Sequence, residues 1–145
     1  MTKHEAMARY FKEKVSEFAG GELTFNNSQE EPNSFSFVTN YSDKERKRYV
    51  RVGAEKEYGF TIIIVKPYST HEDDLNLEAM NMAQGFMEWI EEQNKTKNYP
   101  VFPDNCQIRK LENLQNMPNL AGINSEAGLA RYMLQCRLIY FEKEA

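Results

Sequence analysis

The chain predicts an α+β fold: a single, mainly antiparallel sheet of about five strands with two amphipathic helices packed on it. Three observations carry this reading. Two long stretches repeat apolar residues at three- and four-residue steps, whereas shorter ones alternate or are apolar on both faces. The connections between neighbouring strand-like stretches are mostly too short for parallel crossovers, which favours antiparallel pairing. Two helices with apolar stripes need a sheet face to cover. With 145 residues and 41% hydrophobic content, residues 1–145 suit one domain with one core.

The first helix is expected over about 4–19, where Met7, Phe11, Val15 and Phe18 keep helical spacing and Gly20-Gly21 stops it. Leu23-Thr-Phe25 reads as a short edge strand, and 26–33 as a polar loop with Pro32. A strand follows over about 34–41. Its alternation puts Phe35, Phe37, Thr39 and Tyr41 on one face. Asp43-Lys-Glu-Arg-Lys-Arg48 reads as a charged turn, 48–54 as a second strand, and Glu55-Lys56-Glu57 as another turn. The strand 58–65 has Phe60, Ile62 and Ile64 on one face and Thr61, Ile63 and Val65 on the other, so it is expected to be central and covered on two sides.

The longest helix is expected over about 70–93. Leu75, Ala79, Met82, Ala83, Phe86 and Ile90 form its stripe, widened by Leu77, Met80, Met87 and Trp89. Thr70 with Asp73, or Ser69 with Glu72, has the spacing of a capping box, and the acids 72–74 suit the positive end of the helix dipole. An irregular connection with Pro100 and Pro103 leads to a strand over about 106–114. Residues 113–125, with Pro118, Gly122 and four Asn, read as a loop. The last strand, about 129–142, has Ala130, Tyr132, Leu134, Cys136, Leu138 and Tyr140 on one face, all uncharged.

Composition narrows the function classes. A net charge of −4 argues against a general nucleic-acid binder, and no apolar run is long enough to span a membrane. Two cysteines in strand-like settings read as reduced and buried, which points to the cytoplasm. His71-Glu-Asp-Asp74 gathers metal-ligand types, but four consecutive residues cannot converge on one ion, so a helix start is the better reading. Cys106 and Cys136 sit in apolar patterns where thiols are inert, and Glu88, Glu91 and Glu92 fall on a solvated helix face. No catalytic residue, cofactor or metal site is expected, nor a small-molecule substrate.

The run Lys44, Arg46, Lys47, Arg48 is the basic cluster of the chain, diluted by Asp43 and Glu45. With Tyr41 beside it, it is the candidate contact surface, and an acidic neighbouring subunit suits it better than DNA.

The layout resembles the small tail-terminator or minor capsid proteins of tailed phages and prophages of Gram-positive bacteria. The matching parts are the N-terminal helix ending at Gly20-Gly21, and the strand Tyr58-Gly-Phe-Thr-Ile-Ile-Ile-Val65 leading into a helix that ends in Met87-Glu-Trp-Ile90. The third is Gly128-Leu-Ala-Arg-Tyr132 continuing to Arg137-Leu-Ile-Tyr140. The resemblance implies a structural subunit, not an enzyme, assembled in the host bacterial cytoplasm and carried in the virion. It implies a homo-oligomeric ring, commonly a hexamer, at the head-proximal end of the tail. The implied partners are the tail-tube protein and a head-completion or connector protein, with DNA only passing through. Read from residues alone, the alternative is a small binding or regulatory module that uses the basic hairpin and aromatic strand to hold nucleic acid or peptide.

Overall fold

The computed structural model describes residues 2–19, 23–25, 34–69, 73–124 and 126–144. Helix α1 (Lys3–Ala19) precedes strands β1 (Leu23–Phe25), β2 (Ser34–Tyr49) and β3 (Gly53–Pro67); helix α2 (Asp73–Thr96) then leads to β4 (Cys106–Asn113), β5 (Asn119–Asn124) and β6 (Leu129–Lys143). The α+β class holds, with six strands rather than about five. The order is β1-β2-β3-β6-β4, with β5 also on β6, and β1 runs parallel to β2 while every other pair is antiparallel. The Gly20-Gly21 stop, the loop 26–33, the helix start at 70–72 with its caps, and the Phe18, Asp73 and Leu75 side chains lie outside the described residues.

Both helices lie on one face of the sheet. Met7, Phe11 and Val15 of α1 and Ala79, Ala83, Phe86 and Ile90 of α2 join Phe35, Phe37, Phe60, Ile62, Ile64 and the even-numbered residues of β6 from Ala130 to Tyr140 in one core. Leu77 does not widen the α2 stripe; it points to solvent. Polar side chains fasten α2 to β4: Asn94 Oδ1 accepts from the Leu111 amide at 3.0 Å, and Asn113 donates to the Met87 carbonyl at 3.0 Å. Strand β3 is interior, as expected, but it is not covered by helices on both sides. Its second-face residues Ile63 and Val65 are buried by Val38, Leu129 and Met133, neighbours within the sheet layer.

Three expected strands and the two expected turns between them are replaced by one long two-stranded hairpin. The run 43–48 is not a turn but part of β2, and 55–57 is not a turn but part of β3. The expected strand 48–54 instead holds the bend, where Val52 N donates to Tyr49 O at 3.1 Å. Arg51 there adopts a φ of 64°. The charged runs are complementary when antiparallel: Lys44 faces Glu57, Glu45 faces Lys56, and Lys47 faces Glu55. Opposite charges directly across a ladder stabilise it, which is why a polar run stays extended here.

Residues 113–125 are likewise not one loop, since 119–124 form β5, zipped onto β6 beside the turn at 126–128. Strands β4 and β5 share one edge of β6. The register places β4 on its C-terminal half and β5 on its N-terminal half.

Candidate functional site

A bulge decides where the candidate contact residues point. Thr39 faces Phe60 and Tyr41 faces Gly59, so Asn40 is an extra residue and Tyr41 leaves the face of Phe35 and Phe37. The expected aromatic stripe therefore splits. Phe35 and Phe37 are core, while Tyr41 lies on the helix-free face, over Gly59. A Cβ on Gly59 would sit 2.4 Å from the Tyr41 ring, so only glycine permits this packing.

On that open face, Tyr41 donates to Glu57 Oε2 at 2.9 Å, and Arg46 reaches Glu57 at 2.9 Å and Glu55 at 3.2 Å. Arg137 also reaches Glu57, at 3.4 Å, and pairs with Glu112, which Lys110 holds at 2.8 Å. Burial works to raise the Glu112 carboxyl, but hydrogen bonds from Lys110 and Arg137 outweigh it and hold it below the usual carboxylate range. Lys44 lies 5.1 Å from the Tyr41 ring centre and Lys47 5.1 Å from that of Tyr49. The structure thus brings Tyr41, Lys44, Arg46 and Lys47 onto one face. Arg48 falls by register on the other, with Ala54, and pairs with Glu45.

The helix side of the same hairpin holds a second charged cluster that residue order did not reveal. Lys3 of α1 bridges Asp43 and Glu142, Lys56 pairs with Glu142, and Tyr140 donates to Asp43. Burial acts to raise both carboxyls, yet the bonds from Lys3 and Tyr140 to Asp43, and from Lys56 and Lys3 to Glu142, leave both below their ordinary values. A depressed carboxylate stabilises the fold above its unfolded value, about pH 4, and that contribution disappears as pH falls through the folded value. The melting temperature is accordingly expected to stay level from about pH 7 to 5 and to drop below about pH 4. Asp43→Asn should lower it at neutral pH and flatten the acid decline; equal acid slopes in both proteins, followed by circular dichroism, would contradict the assignment.

Burial disfavours the thiolate form at both cysteines. Cys136 is buried with its Sγ 3.5 Å from Asn113 Oδ1, and burial pushes its pKa well above the usual thiol range. Cys106 is half-buried, and burial raises it too. His4 Nδ1 instead meets the Tyr58 hydroxyl at 2.8 Å, tying α1 to β3. The run 71–73 is outside the described side chains, and among the described residues no group of three His, Cys, Asp or Glu could hold a metal ion. No helix among them is long and apolar enough to cross a membrane.

Sequence reasoning missed the exposed apolar residues. Tyr49, Val50 and Val52 form the tip of the β2–β3 hairpin, with Val50 82% exposed. Leu114, Met117, Leu120 and Ile123 lie along the β4–β5 edge, where Met117 is 61% exposed. A signal was present at the second site, for no charged residue occurs from Asn113 to Ser125. Searches with this chain match no protein-family model and no curated protein.

Proposed function

We propose that this chain is a non-enzymatic assembly subunit: a tail-terminator or minor capsid protein that forms a ring at the head-proximal end of a phage tail and joins tail to head. The observation that carries the assembly reading is the placement of exposed apolar side chains at two ends of the sheet. The hairpin tip adjoins Gly53, opposite Lys143 of β6, whereas Leu120 lies opposite Tyr132. Eleven residues of strand between them correspond to roughly 35 Å at about 3.3 Å per residue.

Two unlike patches so far apart suit a heterologous, head-to-tail contact, which closes into a ring when the rotation permits. Strand β5 adds an exposed edge with neither charge nor proline, the kind of edge that accepts another chain. The identification with a tail terminator rests on the layout of helix, hairpin, helix and returning strands. In this reading the partners are further copies of the chain, the tail-tube protein and a connector protein.

Paired variants test the contact. A tip variant (Val50→Asp with Val52→Asp) and an edge variant (Leu120→Lys with Ile123→Lys) should each fail to form rings on assembled tail tubes. Mixed, they should give a one-to-one dimer and stop, because one intact interface remains. Electron microscopy with tail tubes and light scattering read the result. Unmodified protein that stays monomeric and leaves tube ends uncapped overturns the reading, and so does normal ring formation by either variant.

A further inference from the structure

The two faces of the sheet differ in charge in a way that the net charge of −4 conceals. Acids such as Glu88, Glu91 and Glu92 are exposed on α2. On the helix-free face, the three carboxylates Glu55, Glu57 and Glu112 are all engaged by Arg46, Arg137 and Lys110. Lys44 and Lys47 lie opposite Glu57 and Glu55 in register, yet neither they nor Arg109 and Lys143 close an ion pair among the described residues, and all four share this face by register or by ring contact.

Three of these cations sit over aromatic rings: Lys44 on Tyr41, Lys47 on Tyr49 and Arg109 on Phe141, the last at 5.4 Å. Tyr49 and Phe141 are themselves 6.1 Å apart and tilted at 56°. With Val52, Gln107, Arg109, Lys143 and Glu55, whose carboxylate Arg46 engages, they line a shallow concavity of about 660 Å³ beside the tip of the hairpin. Residues from β2, β3, β4 and β6 meet there, which is why residue order could not show it.

We propose that this concavity and the open face beside it bind single-stranded nucleic acid. The surplus cations suit phosphates, and Tyr49, exposed, with Phe141, half-buried beside it, offers rings against which unpaired bases stack. A duplex keeps its bases inside the helix and cannot use the rings, and an acidic peptide would use the charges alone. The concavity shares Tyr49 and Val52 with the hairpin-tip patch, but binding is read on the unassembled protein and ring formation on tail tubes, so failure of one reading is distinguishable from failure of the other.

Fluorescence anisotropy with a labelled oligothymidylate of about twelve nucleotides tests it. If all four cations neutralise a phosphate, a single strand costs the binding constant a factor of about seven for each doubling of salt. Arg109→Gln with Lys143→Gln should reduce that to between about two- and threefold. Phe141→Leu should weaken binding of the single strand and leave the salt dependence unchanged. Circular dichroism melts of each variant establish that it is folded, and Lys44→Gln with Lys47→Gln, two exposed sites, supplies a charge test if Phe141→Leu unfolds. Absence of binding at low salt overturns the proposal. Equal binding of a duplex or of polyglutamate, or variants that bind as the unmodified protein does, also overturns it.

Discussion

Phe60→Ala is expected to remove about 3–5 kcal/mol of stability, the cost of truncating a large buried ring. Phe60 is fully buried and packs with its ring 4.9 Å from that of Phe37, nearly parallel, and 5.2 Å from that of Phe11. It therefore joins β3, β2 and α1 at one point. A domain of this size has about 5–15 kcal/mol in total, so the loss is a large fraction of what holds it folded. Urea titration should show a much lower midpoint with an unchanged slope. A loss under about 1 kcal/mol would mean that the cluster repacks around the gap, contrary to the close packing of such cores.

Gly53→Ala is expected to cost at least about 2 kcal/mol, for two additive reasons. Gly53 has a φ of 152°, which residues with a side chain rarely adopt, and an added Cβ would lie 2.2 Å from the carbonyl oxygen of Glu142. That oxygen belongs to the adjacent strand backbone and cannot swing aside. Strands β3 and β6 would have to part at this end, loosening the bond from Glu144 N to Val52 O at 2.9 Å. Hydrogen exchange should therefore accelerate at residues 53–57 and 139–144 while 61–65 stay protected. Uniform protection across both regions would contradict the close approach.

Periodicity made most elements legible. The helices over Lys3–Ala19 and Asp73–Thr96 and the strand β6 fall close to where their apolar spacing put them, because spacing along the chain is a local property. The hairpin was misread because six polar residues in a row look like a turn when their partners are unknown. In hindsight Lys44-Glu45 and Lys47 against Glu57-Lys56-Glu55 is a complementary pattern, readable only once antiparallel pairing is assumed. Strand β5 was hidden for the opposite reason. Asn, Pro and Gly dominate its surroundings, and β6 supplies the ladder that holds it extended.

Of the contact residues, Lys44, Arg46 and Lys47 with Tyr41 do share a face, but alternation alone would have put Tyr41 in the core. One extra residue at Asn40 reverses it, and no rule of alternation locates a bulge. The sequence by itself determined the α+β class, the apolar faces of both helices and the interior position of the strand around Ile62. Only the tertiary structure decided that both helices take the same face of the sheet. It also decided which cations lack a carboxylate and which apolar residues lie at opposite ends. Periodicity records which side of an element is apolar, whereas register and bulges, set by pairing between distant segments, determine which side chains meet.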